Sequence, residues 1–273
     1  MQLSVLMSVY SRTIATDLTA CLKSLGTQTL LADEIVIVLD GPLSEDTANC
    51  IKMAMSSLPI KTIPFSENRG LGHALRDGLL HCRHELVARV DTDDRCLPDR
   101  FFTQVEYLVA NPDIALVGGA MREFYDPPNN TVCRVRCGPV HPEAVAYHAR
   151  RRNPFNHPTV LFRKSAVLAS GNYQSCNMFE DYFLWARMIK AGHRLANIPE
   201  VFVETQVDFD YFRRRGGINY IQYEFCFARK LTQIDFLSPI DGIVFLAGRL
   251  PFRIIPPRIR SFLYRNLLRP SSI

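Results

Sequence analysis

The segment at residues 86–95, L-V-A-R-V-D-T-D-D-R, constrains this chain more than any other. A short apolar run stops there at three carboxylates, Asp91, Asp93 and Asp94. A buried strand that ends in this way places several negative charges at one edge of a sheet. Such charges repel unless they are solvated, hydrogen-bonded or bound to a cation. The segment therefore predicts a metal site at a strand end. The alternative is an acidic turn in which Asp94 caps the helix that follows Pro98.

Apolar runs alternate with helical patterns through the first part of the chain. The runs are the length of buried strands, and the segments between them carry apolar residues at helical spacing. This alternation with short connections predicts an α/β fold with a mostly parallel, doubly wound sheet flanked by helices. The predicted strands are residues 3–9, 34–39, 60–65, 86–90 and 114–117, with later ones at 159–162 and 193–199.

Polar side chains follow four of these strands. Tyr10, Asp40 and Asn68 lie in or beside the first three loops, and the acidic cluster follows the fourth strand. Because ligands of open α/β sheets bind outside the carboxyl ends of the strands, these residues predict one shared ligand site. The sequence has no G-x-G-x-x-G after the first strand and no G-x-x-x-x-G-K-[ST], which counts against a dinucleotide fold and a P-loop.

Composition narrows the class of partner. The 273 residues include 47% hydrophobic residues and carry a net charge of +5, which suits phosphate-bearing ligands or an anionic membrane surface. Aromatic and basic residues do not interleave on the predicted strands, so we expect no nucleic-acid partner. The eight cysteines contain no C-x-x-C pair and predict reduced thiols. Without a basic start, a cleavage site or a run of about 18 apolar residues, we expect a cytoplasmic protein with no signal peptide and no spanning helix.

The C-terminal part differs in character. We expect residues 1–210 to form one domain and residues 211–273 to form a helical extension. From residue 236 onward, arginines interleave with bulky apolar residues in segments too short to span a bilayer, a pattern typical of a membrane-surface element. The alternative is a pair of helices packed on the domain.

Taken in order, the motifs resemble those of a family 2 glycosyltransferase with the GT-A nucleotide-diphospho-sugar transferase fold. The resemblance covers residues 3–200 and extends to bacterial enzymes that build O-antigen, capsule or exopolysaccharide repeat units on a lipid carrier. The motifs are S-V-Y, V-L-D-G, E-N-R-G-L-G-H-A-L, D-T-D-D-R-C-L-P-D-R, N-H-P-T-V-L-F-R-K and F-E-D-Y-F-L-W-A-R-M.

The resemblance implies a binding site for a nucleotide sugar. Asp40 would accept a hydrogen bond from the uracil N3–H, since an ionised carboxylate only accepts; an ordinary Asp-Gly turn is the alternative. Tyr10 would pack on the base, and residues 213–215 would contact the diphosphate. His157 would face donor or acceptor, or would be a hydrogen-bonded histidine at a strand start, and both readings stay open. The implied donor-site residues are Ser8, Tyr10, Asp40, Asn68, Asp91, His157 and Arg214.

The resemblance also implies roles for the acidic residues. Asp93 would bind Mn²⁺ or Mg²⁺ directly, and Asp91 would contact the metal, its bound water or the ribose. Asp181 would deprotonate the acceptor hydroxyl, with Glu180 orienting the acceptor or the base. The alternative for both is a pair of acids favoured by a helix dipole. Many relatives carry Arg-x-His near Thr205, which this chain lacks, so the third protein ligand stays open.

The expected reaction is therefore an inverting transfer, most specifically of galactose from UDP-Gal in β1,3 linkage to GlcNAc-diphospho-undecaprenol. The enzyme would work peripherally at the inner face of the cytoplasmic membrane. Two rival classes remain at this point: a nucleotidyltransferase on a related sheet, and a non-catalytic module that binds nucleotide or nucleic acid. Release of UDP from a UDP-sugar would distinguish a glycosyltransferase from both rival classes.

Overall fold

A computed structural model describes residues 2–125, 132–207 and 216–256. Within these residues nine strands form one sheet, in the order β3-β2-β1-β4-β8-β6-β9-β5, with β7 paired to β6. The strands are β1 (Leu3–Tyr10), β2 (Glu34–Asp40), β3 (Ile60–Pro64), β4 (Leu86–Arg89), β5 (Asp94–Cys96), β6 (Ile114–Tyr125), β7 (Val132–Arg136), β8 (Leu161–Arg163) and β9 (Arg194–Val207).

The first half of the sheet is parallel, as predicted. Strand β1 pairs in parallel with β2 and β4, and β2 pairs in parallel with β3. Both faces of β1 are covered, which explains why its sequence is a nearly continuous apolar run. The parallel arrangement brings the carboxyl ends of these four strands to one edge.

The second half of the sheet is mixed, which differs from the expected parallel continuation. Strand β8 lies between β4 and β6 and runs antiparallel to both, while β6 and β9 are parallel to each other. Strand β5 is antiparallel to β9. The predicted strand at residues 114–117 continues to Tyr125, and the one at 193–199 continues to Val207. The sheet is therefore mixed, because β8 runs antiparallel to the strands on both of its sides.

Helices cover both faces of the sheet. The helices are α1 (Ala15–Gly26), α2 (Glu45–Ala54), α3 (Leu71–His81), α4 (Arg100–Ala110), α5 (Pro142–His148), α6 (Lys164–Ala169), α7 (Glu180–Lys190), α8 (Ile218–Gln233), α9 (Pro239–Ala247) and α10 (Leu250–Ile254). Alternate residues of β1 explain the two layers: Val5 packs with α1, α2 and α4 on one side, whereas Leu6 packs with α3, α6 and α7 on the other.

The C-terminal helices pack on α7 through an aromatic cluster. The rings of Phe179 and Phe227 are stacked with centroids 4.5 Å apart, and Phe245 lies behind Phe227 at 5.9 Å. The predicted extension is thus helical where it is described, and the predicted boundary at residue 210 lies outside the described residues. No helix in the described ranges is both long and apolar enough to cross a bilayer. The free thiols are Cys21, Cys50, Cys82, Cys96, Cys137, Cys176 and Cys226.

Candidate active site

The ends of β1 and β2 form the first part of the candidate site. Tyr10 stands opposite Asp40 in the parallel register, and Ser8 stands opposite Val38. Tyr10 is 38% exposed, so its ring is available at the sheet edge, whereas Ser8 is half-buried. The structure therefore brings these predicted donor-site residues together. Their contact with a nucleotide stays a prediction.

Asp40 organises the loop that follows β3. Its carboxylate accepts hydrogen bonds from the backbone N–H groups of Arg69 (2.7 Å) and Gly70 (3.0 Å), while Asn68 Nδ2 donates to the Asp40 carbonyl at 3.1 Å. Gly41 is needed here because it has φ +87° and because a Cβ would lie 2.7 Å from the Asn68 backbone nitrogen. Asp40 is 3% exposed. Its observed role is to hold the Asn68 loop against the end of β2.

Three carboxylates follow β4, as the sequence predicted. Asp91, Asp93 and Asp94 each offer an oxygen, and these oxygens lie within 4.8 Å of one another. Desolvation and the charge on Asp91 raise the pKa of Asp93. Burial raises the pKa of Asp94 well above its ordinary value, and the two neighbouring acids raise it further. Closely spaced hard oxygen donors with mutual repulsion fit a divalent cation such as Mg²⁺ or Mn²⁺.

Asp94 does not cap the following helix, so the simple acidic-turn alternative is wrong in that respect. Asp94 begins β5 and pairs with Thr205 of β9, whose side chain also hydrogen-bonds to the Asp94 carboxylate. The residue at the start of α4 is Asp99, and its side chain makes no cap hydrogen bond. Thr205 stands where relatives were expected to carry an Arg-x-His. In this chain the Thr205 side chain hydrogen-bonds to Asp94 of the acidic cluster.

Arg89 is a site residue that the sequence reasoning missed. Its side chain is 2% exposed and forms an ion pair with Asp91. Its Nε and Nη1 atoms are buried without a hydrogen-bond partner among the described residues. Its positive charge reaches Tyr173, His157 and Glu180 as well as the acidic cluster. One signal was available: Arg89 is a charged residue inside an otherwise apolar strand.

Glu180 and Asp181 lie in the first turn of α7. The Asn153 side chain fixes Asp181: its Oδ1 accepts from the Phe155 N–H at 3.2 Å, which turns Nδ2 toward Asp181 Oδ2 at 2.7 Å. Desolvation raises the pKa of Glu180 to about 7, and the charge on Asp181 contributes. A Cβ at Gly72 would lie 3.5 Å from the Glu180 Cβ, so the start of α3 adjoins this acid.

His157 lies in a 3₁₀ turn, His157–Thr159, rather than at the start of the strand. Its Nε2 is 3.1 Å from the Tyr173 hydroxyl, and its ring contacts that of Trp185 at a centroid distance of 6.0 Å. Desolvation lowers the pKa of His157 well below its ordinary value, and the charge of Arg89 lowers it further. His157 is therefore neutral and hydrogen-bonded, and its contact with a substrate stays a prediction. Arg214 lies outside the described residues.

Comparisons with known proteins identify the family of the chain. Residues 4–175 match the family described as glycosyl transferase family 2. The chain is 39% identical over 263 residues to the amylovoran biosynthesis glycosyltransferase AmsE of Erwinia amylovora, covering 96% of this chain and 98% of that protein. It is 30% identical to an Escherichia coli UDP-Gal:alpha-D-GlcNAc-diphosphoundecaprenol beta-1,3-galactosyltransferase, covering 97% and 96% of the two chains.

Solved structures with low identity identify the fold. Staphylococcus aureus TarS 1-349 in complex with UDP-GlcNAc aligns with a TM-score of 0.65 at 15% identity, covering 98% of this chain and 77% of TarS 1-349. The mannosyltransferase PcManGT of Pyrobaculum calidifontis, in complex with GDP-Man and Mn²⁺, aligns with a TM-score of 0.65 at 16% identity and covers 100% and 76%. The fold is therefore GT-A. The family match and the named glycosyltransferase relatives decide against the two rival classes. This chain is a glycosyltransferase and belongs to glycosyl transferase family 2.

Proposed function

We propose that the chain transfers a hexose from a nucleotide sugar to a lipid-linked acceptor during assembly of a bacterial surface polysaccharide. The observation that carries this proposal is the acidic cluster after β4 together with the Glu180–Asp181 pair, since the charge of Arg89 acts on Asp91 and on Glu180. Two sets of carboxylates then serve two substrates. The cluster would take the donor diphosphate, and the pair on α7 would take the acceptor hydroxyl.

The most specific form of the proposal names the substrates. Galactose would pass from UDP-Gal to GlcNAc-diphospho-undecaprenol in β1,3 linkage. Support comes from the E. coli relative, whose name states this reaction, and from AmsE, whose name places it in amylovoran biosynthesis. Such an acceptor would place the enzyme at the inner face of the cytoplasmic membrane. The nucleotide contacts assigned to Ser8, Tyr10, Asp40, Asn68, His157 and Arg214 are part of the same proposal.

The acidic cluster would hold Mn²⁺ or Mg²⁺, with Asp93 and Asp91 as ligands. When bound there, a divalent cation neutralises the negative charge that develops on the leaving nucleoside diphosphate. Support comes from the spacing of the three carboxylates and from PcManGT, whose structure contains Mn²⁺. Arg89 would keep the Asp91 carboxylate oriented through their ion pair.

The Glu180–Asp181 pair would carry out the proton transfer. Asp181 accepts the proton of the acceptor hydroxyl as that oxygen bonds to C1 of the sugar and the C1–O bond to the diphosphate breaks, with inversion. The hydrogen bond that Asn153 donates to Asp181 orients the base. Glu180 hydrogen-bonds to the acceptor. Because the pKa of Glu180 is about 7, it is partly protonated at neutral pH and can donate as well as accept.

The test compares two isosteric variants, assayed with UDP-Gal, Mn²⁺ and a synthetic GlcNAc-diphosphate lipid. We expect Asp181→Asn to lower kcat by about 10²–10⁴-fold, because a positioned base contributes this much, and to leave donor Kd nearly unchanged. Glu180→Gln should act mainly on the acceptor KM. Normal turnover of Asp181→Asn with an inactive Glu180→Gln would reverse the two roles. If both variants were fully active, the base would lie elsewhere and the proposal would fail.

A further inference from the structure

The outer face of α9 is an exposed apolar surface. Ile240 and Ile243 are 74% and 69% exposed, and Val244 is 45% exposed. With Ala247, which is also exposed, they follow the i, i+3, i+4, i+7 spacing of one helix face. The opposite face packs inward through Phe245, which is 1% exposed. This helix is therefore apolar on both sides but buried on only one, and we call its exposed side the α9 outer face.

Fixed contacts hold α9 in this orientation. Ser238 and Asp241 form a capping box at its N-terminus. Arg150, just after α5, donates to the Phe236 carbonyl at 3.0 Å and to Asp241 at 2.6 Å. The outer face is thus presented by a helix that is tied to the domain at its start and packed against α8 along its inner side. A rigid apolar patch of this kind marks an interaction surface.

The arginines of this region do not all point outward, which revises the expected basis of membrane binding. Arg249 and Arg253 both turn inward to Glu224 of α8, at 2.6 and 2.8 Å, and Glu224 is fully buried. Their charges therefore face Glu224 inside the fold and not the solvent. What α9 offers to a partner is apolar area. Residues 257–273, which lie outside the described residues, add four arginines and no acidic residue in sequence.

We infer that the α9 outer face inserts into the interfacial region of an anionic lipid bilayer. Short apolar faces next to basic residues bind at the boundary between headgroups and acyl chains, where apolar burial and attraction to anionic lipid add together. The occupant follows from the proposed lipid-linked acceptor, on which this inference rests. The described helix supplies the apolar contribution to this binding.

The position of α9 connects this surface to the acceptor side of the site. Phe245 on its inner face packs on Phe227, which stacks on Phe179. Phe179 directly precedes Glu180 and Asp181. The Phe245 ring also lies 6.3 Å from that of Tyr182, so α9 packs directly on the helix that carries the proposed base. Seating α9 at the interface would therefore bring the start of α7 close to the headgroup region, where a lipid-linked sugar acceptor is found.

The test is flotation of the full-length protein with vesicles of phosphatidylglycerol and phosphatidylethanolamine. We expect the double variant Ile240→Ser/Ile243→Ser to lower the vesicle partition coefficient by about tenfold or more, because two large apolar side chains no longer leave water. The matched control is Met53→Ser/Leu80→Ser, which removes side chains that are 76% and 60% exposed on α2 and α3. This control should float like the unchanged protein.

A high salt concentration distinguishes the apolar contribution to vesicle binding from the electrostatic contribution. At about 1 M NaCl, where the screening length is about 3 Å, binding through the α9 outer face should persist and keep its sensitivity to the double variant. Equal flotation of the double variant and the unchanged protein would overturn the inference. A dimer in solution that the double variant converts to monomers would also overturn it, because a second copy would then occupy the α9 outer face. So would vesicle binding that appears only when residues 257–273 are removed, because those residues would then be the occupant of that face.

A parallel assay separates this inference from the proposed function. UDP release from UDP-Gal by hydrolysis needs no membrane, so the double variant should retain it at the unchanged rate. Transfer to the acceptor in vesicles should fall with flotation. Loss of vesicle binding together with normal UDP release supports the docking role of α9. A protein that floats but releases UDP from no donor would contradict the proposed glycosyl transfer instead.

Discussion

At the scale of single residues, the charge of Arg89 acts on both halves of the candidate site. Buried polar atoms are nearly always hydrogen-bonded, so two buried donors without a partner in the described chain mark an unusual side chain. Arg89 contacts Asp91 directly, and its field lowers the pKa of Glu180 and of His157. A fixed cation here reduces the repulsion between the cluster after β4 and the acids of α7.

Removal of this charge should change the pH profile of the enzyme. The pKa of Glu180 is about 7, raised by desolvation and by Asp181 and lowered by Arg89. The charge on Asp91 also raises the pKa of Glu180, and the charge on Glu180 in turn raises the pKa of Tyr173 and of Cys176. Without Arg89 the carboxyl should hold its proton to higher pH. Because Glu180 is proposed to act on the acceptor, we expect Arg89→Met to move the acidic limb of kcat/KM for the acceptor upward by about one pH unit at saturating Mn²⁺.

Arg100 provides the matched control. It is fully buried like Arg89, but its guanidinium bonds to Gln104, Cys96 and the Arg89 carbonyl. Arg100→Met should therefore lower stability and leave the acidic limb where it is. Arg89→Lys, which restores the charge, should return the limb toward its original position. An unchanged limb in Arg89→Met would show that the role of Arg89 is structural alone.

The acidic cluster gives a second prediction at this scale. Asp93→Asn should weaken Mn²⁺ binding, since it removes an anionic oxygen ligand, and should abolish the rise in Tm that Mn²⁺ causes in the unchanged protein. In EDTA the variant should melt no lower than the unchanged protein, because one repelling charge is gone. Asp99→Asn, an exposed acid close by in sequence, is the control. Retention of the Mn²⁺-induced shift by Asp93→Asn would end the metal assignment.

At the scale of elements, the sequence predicts the parallel half well and the mixed half poorly. Strands β1, β2 and β4 are apolar runs buried on both faces, so their pattern is visible without tertiary information. Strand β8 has only three residues, and its antiparallel position between β4 and β6 depends on contacts distant in sequence. The acids could be located from their motifs. Arg89 and Asn153 could not be assigned, because their roles depend on partners in other elements.

A buried ion pair joins the C-terminal helices. Glu224 of α8 bonds to Arg249 and Arg253 with its side chain fully buried. Glu224→Gln should destabilise the fold by about 3–5 kcal/mol in urea unfolding, because breaking a buried pair leaves charge without compensation. Asp113→Asn is the control: its pair with Arg194 is half-exposed on both sides, so we expect a loss of at most about 1 kcal/mol. Equal effects of the two variants would contradict the assignment.

At the scale of the whole molecule, each segment of the chain contributes to one side of the reaction. The N-terminal parallel strands carry the proposed donor contacts, and α7 carries the proposed base. The C-terminal helices pack against α7 and leave the α9 outer face exposed. The sequence offered two readings of this last part, a membrane-surface element and a packed helix pair. The described helices are packed on one face and apolar on the other, so the packed pair is observed and the surface element stays a proposal.

The pairing of β5 with β9 also determines when the acidic edge can form. Asp94 and Thr205 are neighbours in the sheet, although the whole middle of the chain separates them in sequence. A growing polypeptide could assemble β1 to β4 early, but β5 would have no strand to pair with until β9 had been made. Contacts between such distant segments form late and slowly. A cation bound at this edge would therefore report a completed fold and could not nucleate it.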